Sequence, residues 1–329
     1  METKRIGFLM GEGFMASSVY GPMDALSIAN ALWVARKKVK TPLFEPVLVG
    51  AGQGAVSCAF GAEIRPGVSL AESNALDMLV VGAFQGRVDD GLHSVSQAIS
   101  AVKALHEKGC LVASTCTGAF VLAEAGILDG RSATTHWKFA SAFRRRYPRV
   151  RLNENRVLVE EAGVITTGAT TAWQSLVLRT IEIFGSVDLA AECAKVLLID
   201  AGRAEQTPYM DALSVREHGD EAIGGVQAWL EAELGSHISV ENMAEKAGLG
   251  LRTFIRRFKK ATSESPLVYL QTLRIQTARH LLETTRQSVD EITWAVGYED
   301  TSSFRRLFKR TTGLTPREYR DRFSSAFVA

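Results

Sequence analysis

The cysteine at position 116 lies in a pattern that could support nucleophilic chemistry. It is the centre of Ser114-Thr-Cys-Thr-Gly118, which follows a short apolar run and precedes a helical stretch at residues 119–125. A small-x-nucleophile-x-Gly turn between a strand and a helix is typical of a nucleophile elbow, whose central side chain stands at the helix N-terminus. The helix dipole would favour the thiolate there. The alternative is a buried cysteine beside an ordinary turn.

A second chemical feature is a pair of basic segments fifty positions apart. Phe254-Ile-Arg-Arg-Phe-Lys-Lys260 is repeated as Phe304-Arg-Arg-Leu-Phe-Lys-Arg310. A period that is copied only once indicates a duplicated supersecondary unit, because a solenoid needs at least about three repeats to bury its faces. Further identical positions follow at the same offset: Thr262 and Thr312, Pro266 and Pro316, and Tyr269 and Tyr319.

Each unit has the pattern of a short helix, a turn that contains glycine, and a second helix with an apolar stripe. In the second unit, Ser288 and Glu291 form the pattern of a capping box, and Gly297 marks the turn. A helix that buries one stripe and offers Arg and Lys on the other face has the form of a helix-turn-helix recognition helix. The predicted DNA-contacting positions are Arg252, Arg256, Lys259, Lys260, Ser302, Arg305, Arg306 and Lys309.

The charge distribution favours a nucleic-acid partner over a merely solvated basic surface. Residues 226–329 carry sixteen Lys and Arg against twelve Asp and Glu, whereas the rest of the chain carries twenty-two against twenty-four. The net charge of +2 therefore hides a positive segment beside a slightly negative one. Such an asymmetry suits a chain in which only one part contacts phosphate.

The second unit also contains a longer signature. It runs from Val289 to Tyr298 and continues through Ser303-Phe-Arg-Arg-Leu-Phe-Lys-Arg310 and Gly313-Leu-Thr-Pro-Arg-Glu-Tyr-Arg320. On these residues, positions 226–323 resemble the DNA-binding domain of the AraC-type transcription regulators. The resemblance implies two helix-turn-helix units that are joined by a rigid helix and enter successive major-groove segments of DNA. The linking stretch, residues 267–283, has no Gly or Pro and would span about 25 Å as a helix.

Upstream of residue 205, short apolar runs alternate with helical stretches. The predicted strands are residues 6–10, 44–49, 78–81, 111–114 and 164–167, and the predicted helices are 18–35, 94–108, 118–125, 138–147 and 171–184. This alternation predicts an α/β fold with a mostly parallel sheet that helices cover on both faces. Ligands of such sheets bind beyond the carboxyl ends of the strands, so the Cys116 loop is the first candidate site.

The residues after the elbow carry a second resemblance. Ala133-Thr-Thr-His-Trp137 follows the elbow, and residues 5–200 as a whole resemble the class I glutamine amidotransferase-like superfamily, in the branch of isonitrile hydratase and the PfpI-type proteins. The resemblance matches Cys116 to the elbow cysteine and His136 to the family's histidine. Catalytic members carry an acid four positions before a proline of the first helix, where this chain has Ser18.

The missing acid favours binding over turnover, because a thiol needs an oriented base or a lowered pKa to act as a nucleophile. We therefore expect a regulator that is not an enzyme, with Cys116 and His136 as vestigial catalytic candidates. Helix-end amides beside a small polar elbow suit a nitrogen-containing or carboxylate metabolite. The predicted ligand pocket consists of Ser18, Gly82, Ala83, Cys116, Thr117 and His136.

Two other functions remain open on the sequence. One is a thiol-dependent hydratase or amidase that works through Cys116 and His136 and has an appended DNA-binding domain. The other is an architectural DNA binder whose first domain only dimerises. A ligand held in the pocket would exclude the architectural function, whereas the absent acid at Ser18 argues against the enzyme.

Length and composition suit about two globular domains, since the 329 residues are 46% hydrophobic and 22% charged. The expected division is a sensor and dimerisation domain at residues 1–205, a linker at 206–225 and a DNA-binding domain at 226–329. No membrane-spanning run or signal peptide is evident, and the four cysteines lack metal or disulfide spacing. The chain is therefore expected to be cytoplasmic and homodimeric, without metal or cofactor, and to bind promoter DNA and a small effector.

Overall fold

The computed structural model describes residues 2–70, 75–210 and 218–324. The chain divides into two compact units, Met1–Gln206 and Thr207–Ala329. Among the described residues, the β-strands all lie in the first unit, and the regular elements of the second unit are helices. No helix in these ranges is long and apolar enough to cross a membrane.

A seven-stranded sheet forms the centre of the first unit. The strands of this sheet and of two small two-stranded sheets are β1 (Lys4–Met10), β2 (Phe44–Gly50), β3 (Val56–Ser57), β4 (Glu63–Ile64), β5 (Val68–Ser69), β6 (Met78–Val81), β7 (Leu111–Thr115), β8 (Ser132–Ala133), β9 (Arg151–Leu152), β10 (Leu158–Glu161) and β11 (Val164–Thr167). The order in the large sheet is β10-β11-β7-β6-β1-β2-β5, and every neighbouring pair is parallel except β10 with β11. The predicted mostly parallel α/β architecture is confirmed.

The five predicted strands are the five central strands of this sheet. All four residues of β6 and the last five of β1 are buried, which is why these strands read as continuous apolar runs. The edge strands β5 and β10 were not predicted. They are two and four residues long and only partly buried, so their composition carries no such signal.

Seven helices accompany the sheet in the described part of the first unit. They are α1 (Ser17–Lys37), α2 (Val88–Ser94), α3 (Ile99–Glu107), α4 (Ala119–Glu124), α5 (Ala140–Arg146), α6 (Trp173–Phe184) and α7 (Val187–Val196). The predicted helix at 94–108 begins later, because a 3-10 turn at Ser96–Ala98 separates α2 from α3. Helix α7 was not predicted, although Ser186 caps it by accepting a hydrogen bond from the Leu189 amide.

The described part of the second unit contains seven helices around two separate cores. They are α8 (Glu221–Ala232), α9 (Val240–Lys246), α10 (Leu251–Thr262), α11 (Pro266–Thr284), α12 (Val289–Ala295), α13 (Thr301–Thr312) and α14 (Pro316–Phe323). Leu270 and Leu273 of α11 belong to the first core, whereas Ile275, Ala278 and Leu282 belong to the second. The 19 residues of α11 span about 28 Å, so this helix joins two helix-turn-helix units as predicted.

The sequence repeat is also a structural repeat. Helices α10 and α13 both have twelve residues, and each buries two phenylalanines completely, Phe254 with Phe258 and Phe304 with Phe308. The predicted capping box of Ser288 and Glu291 is present at α12. Leu251 of α10 is by contrast 41% exposed. It is the first residue of α10 and lies one turn before the buried stripe begins.

The predicted linker at 206–225 is partly folded chain. Gln206 belongs to the first unit, and α8 begins at Glu221 despite Gly224 and Gly225. The buried side chains of Ile223 and Val226 pack into the first core, so tertiary packing overrides the low helix propensity of glycine. Residues 211–217 of the predicted linker lie outside the described residues.

Candidate functional site

The strand-to-helix elbow is present at Cys116. Strand β7 runs into a 3-10 turn at Cys116–Gly118, and α4 follows. Cys116 has a φ of +53°, a left-handed conformation that is strained for a residue with a Cβ and is typical of a nucleophile elbow. A Cβ at Gly118 would lie 2.6 Å from the Val81 carbonyl oxygen. Only glycine therefore allows the elbow to approach the end of β6 this closely.

The thiol of Cys116 is not exposed, and the predicted low pKa is wrong. The residue is 5% exposed, and burial raises the pKa of the thiol. Hydrogen bonds from Thr170 and Thr117 act in the opposite direction without reversing the shift. Helix α4 has only six residues, so it contributes little dipole to favour the thiolate. The buried alternative describes this cysteine better.

Two side-chain hydroxyl groups form hydrogen bonds with the backbone amides beside the elbow. The Ser18 hydroxyl donates to the Met15 carbonyl (2.7 Å) and accepts from the Ala83 amide (2.9 Å). The Thr117 hydroxyl accepts from the Phe84 amide and donates to the Phe84 carbonyl, both at 2.8 Å. An oxyanion needs free donors aimed at its position, and these two amides are engaged within the chain.

His136 adjoins the elbow but is not placed as a base for Cys116. The imidazole is half-buried, and its Nδ1 accepts a hydrogen bond from the Lys138 amide at 3.2 Å. Burial, followed by the charge of Lys138, lowers the pKa of His136. The link to the elbow is made one residue earlier, where the Thr135 hydroxyl donates to the Cys116 carbonyl at 2.8 Å. The described hydrogen bonds of His136 include none to Cys116, so the arrangement does not activate the thiol.

The structure adds Thr170 to the predicted pocket. Thr170 begins the 3-10 turn after β11, and its hydroxyl is hydrogen-bonded to the Cys116 sulfur. Strand β11 is the parallel neighbour of β7. The sequence could have indicated Thr170, because it follows the predicted strand at 164–167 and the carboxyl ends of neighbouring parallel strands meet at one edge of a sheet. The predicted pocket residues therefore do come together, but as a closed and largely self-bonded group.

We predict slow alkylation of Cys116 in the folded chain. The buried thiol stays protonated at pH 8 because its pKa is raised, and only the thiolate reacts with iodoacetamide. Peptide mapping should show alkylation at least about tenfold slower than in urea-unfolded protein, with a rate that still climbs as the pH rises above 9. A rate in folded protein that is already maximal at pH 7 would contradict the buried-thiol description.

The predicted basic faces of α10 and α13 are exposed. Each of the predicted DNA-contacting side chains is exposed: Arg252, Arg256, Lys259, Lys260, Ser302, Arg305, Arg306 and Lys309. Arg252 and Arg256 form no ion pair within the described residues, whereas Arg305 pairs with Asp290 at 3.4 Å. Arg306 donates to the Ser303 hydroxyl at 2.9 Å, a contact that DNA can replace without leaving a buried charge.

A neighbouring arginine of α10 has a different role. Arg257 is held by Asp220 through two hydrogen bonds of 3.0 and 2.7 Å. This contact raises the pKa of Arg257 and lowers the pKa of Asp220. Asp220 also caps α8 by accepting from the Ile223 amide, so the pair connects the start of α8 with the first recognition helix.

No group of three or more His, Cys, Asp or Glu in the described ranges is placed to hold a metal ion.

Comparison with known families agrees with both halves of this description. The DJ-1/PfpI family matches residues 4–183, and a helix-turn-helix domain family matches residues 243–322. These matches cover the elbow in the first unit and both recognition helices in the second. The two resemblances inferred from the sequence are therefore confirmed.

Similar proteins that span the chain are transcription regulators. The HTH-type transcriptional regulator GbdR of Pseudomonas aeruginosa is 25% identical over 319 residues, which cover 96% of this chain and 83% of GbdR. The HTH-type transcriptional regulator GlxA of Rhizobium meliloti is 26% identical over 323 residues, covering 98% of this chain and 97% of GlxA. The crystal structure of an AraC family transcriptional regulator from Pseudomonas putida shares the fold over 59% of this chain and 99% of its own, at 20% identity and a TM-score of 0.51.

Proposed function

Since this chain belongs to the DJ-1/PfpI family and is a DNA-binding transcription regulator with an AraC-type helix-turn-helix domain, we propose that its first unit senses a small nitrogen-containing or carboxylate metabolite. In the cytoplasm, the second unit responds by changing its affinity for promoter DNA. The observation that carries DNA recognition is the exposed cationic face of both α10 and α13, on which Arg256 and Lys259 recur as Arg306 and Lys309.

On DNA, the early exposed positions of both helices meet base edges. Arg252 and Arg256 of α10 and Ser302 and Arg306 of α13 occupy these positions. The N-terminal part of a recognition helix lies deepest in the major groove, so side chains there read bases. Residues nearer the helix C-termini, including Lys259, Lys260 and Lys309, contact phosphates, which position the protein without reading sequence.

The effector binds beside the elbow from the side of His136 and Thr170. Both side chains are half-buried, whereas Ser18, Ala83, Cys116 and Thr117 beneath them are buried and form the floor of the site. The His136 ring stacks on Trp137 with centroids 5.4 Å apart, and Lys138 lies over the Trp137 ring. An aromatic surface with a nearby cation suits a small ligand that has a carboxylate or amide group.

A homodimer forms through the first unit. The second unit buries its aromatic stripes in its own two cores. Helix α7 of the first unit exposes Val187 and Val196, and Leu198, two residues beyond the helix, is exposed as well. Leu198 is 92% exposed, which is unusual for a large aliphatic side chain. Closed two-fold dimers are the commonest oligomers, and a dimer would place two readers on paired DNA sites.

Thermal shift of the full chain against amino acids, betaines and amides tests the sensing function. A ligand at a hundredfold excess over its Kd should add about 2.7 kcal/mol to the free energy of unfolding. Cys116→Ser should keep this response, whereas His136→Ala should weaken the apparent affinity and the matched change His280→Ala, in the second unit, should not.

Sedimentation of a chain that ends at residue 206 should show a dimer, and a monomer there would reject the proposed interface.

The rival function is thiol-dependent hydrolysis or hydration. The buried thiol with a raised pKa, the engaged Nδ1 of His136 and the engaged Ser18 hydroxyl argue against it. Consumption of an amide or isonitrile over many turnovers that Cys116→Ser abolishes would replace the sensor with an enzyme. A binder that shows neither turnover nor any ligand response would be architectural.

A further inference from the structure

The first unit ends on a glutamine whose side chain is buried. Gln206 is 3% exposed, and its amide nitrogen lies within hydrogen-bond distance of four acceptors. These are the Glu154 carbonyl (2.8 Å), the Thr135 and Arg156 carbonyls (both 3.0 Å) and the Thr134 hydroxyl (3.2 Å). Two amide hydrogens are shared among these four oxygens. The side-chain oxygen of Gln206 forms no hydrogen bond within the described residues.

The backbone around Gln206 is also attached to the first unit. The Gln206 amide donates to the Asn155 carbonyl at 2.6 Å, and the Val157 amide donates to the Ala204 carbonyl at 2.9 Å. A Cβ on Gly168 would lie 2.0 Å from the Gln206 side-chain nitrogen. The segment after β11 is thus shaped around this carboxamide, and residues 204–206 add a short antiparallel pairing to residues 155–157.

Gln206 is connected to the elbow through one residue. Thr135 accepts from the Gln206 side chain with its carbonyl and donates to the Cys116 carbonyl with its hydroxyl. His136, which we place in the effector site, is the next residue of the chain. A ligand that moves the loop at residues 134–137 therefore changes the acceptors that hold Gln206.

The residues that follow Gln206 are attached to the second helix-turn-helix unit. Arg279 of α11 donates to the carbonyls of Pro208, at 2.9 Å, and Met210. The Tyr209 ring packs edge-on against Phe323 with centroids 5.1 Å apart. Its hydroxyl accepts from Arg322 at 2.8 Å. Pro208 is buried, so this short segment is part of the second unit's structure.

We propose that Gln206 is a positioning residue that transmits the state of the elbow to the second helix-turn-helix unit through residues 204–210, which we call the strap. The proposal rests on the effector site described above. One end of the strap is held by the acceptors at residues 134–135 and 154–156, and the other by Arg279, Arg322 and Phe323. A ligand that prefers one arrangement of the elbow loop shifts the strap toward the corresponding arrangement, since coupling requires only a differential affinity for the two states.

Hydrogen exchange of the full chain tests this coupling without any effector. Gln206→Glu keeps the shape of the side chain but replaces both donors with a carboxylate that faces carbonyl oxygens. Amide exchange should become at least about tenfold faster at residues 115–118 and 134–137 and also at 207–210. Gln97→Glu, the same change at an exposed position of the first unit, should alter neither region.

A reciprocal variant keeps the test valid if Gln206→Glu fails to fold. Tyr209→Ala removes a half-exposed ring from the other end of the strap. Because coupling is reciprocal, it should accelerate exchange at residues 134–137 as well as at 207–210. If faster exchange in each variant were confined to the unit that carries the substitution, the side chains would have a purely local role and the proposal would be overturned. Failure of every metabolite to shift the melting temperature would instead reject the effector site, whatever the exchange pattern.

Discussion

Replacing both Arg256 and Arg306 with alanine should lower the affinity for the operator by about 2–6 kcal/mol, roughly 30-fold to 10⁴-fold. Both side chains are exposed in the first half of the two recognition helices, and a bidentate Arg–guanine contact supplies about 1–3 kcal/mol of discrimination. The operator for this measurement is selected from random DNA with the unaltered protein. Fluorescence anisotropy on the operator and on random DNA then measures specific and non-specific binding side by side.

The matched control is Lys260→Ala, which removes an exposed cation near the end of α10. As a phosphate contact, Lys260 should affect both DNAs alike, and its loss should reduce the slope of log K against log salt by about one. Equal losses on operator and random DNA for the arginine variants would show that these side chains meet only phosphates. The regulator would then read its site through other residues or through DNA shape.

Replacing Phe308 with alanine should lower the free energy of unfolding of the second unit by about 3–5 kcal/mol. The ring is completely buried and packs edge-on against Tyr319, with centroids 5.4 Å apart, and against Phe304 at 5.7 Å. The cavity left by the ring cannot close easily, because the second core contains only eight buried residues in the described part of the chain. Urea denaturation followed by circular dichroism measures this loss.

Phe60→Ala is the control for that change, since Phe60 is 71% exposed and its removal should change the unfolding free energy little. Because the two cores are separate, Phe308→Ala should also remove sequence reading by α13 while α10 keeps its fold. If Phe308→Ala lowered the free energy of unfolding by less than about 1 kcal/mol, the second core would not be close-packed. Hydrogen exchange would locate the effect by comparing α10 with α13.

The sequence predicted the elements that depend on local spacing. The repeat of fifty positions gave two matching recognition helices, because the 3.6-residue period of a helix places Phe304 and Phe308 on one buried stripe and the arginines on another. The capping box of Ser288 and Glu291 was predictable for the same reason, since its partners are three residues apart. The five central strands were predictable because burial on both faces leaves an uninterrupted apolar run.

Tertiary structure decided how the elbow behaves chemically. The sequence placed Cys116 at a strand-to-helix turn, but burial in the folded chain raises the pKa of its thiol, and the opposing hydrogen bond comes from Thr170, more than fifty positions away. Ser18 binds the Ala83 amide across 65 positions, and Gln206 binds Thr134 across 72. No local period encodes such partners, so a spacing rule identifies the candidate nucleophile without showing whether its hydrogen bonds are free.

The same distinction applies to the basic faces. Sequence alone determined that α10 and α13 would each present Arg and Lys opposite an aromatic stripe. Only the folded chain showed that Asp220 holds Arg257 and that Asp290 contacts Arg305, while Arg252 and Arg256 form no ion pair within the described residues. The period of a helix determines which way a side chain points, whereas its partners depend on segments that folding brings together.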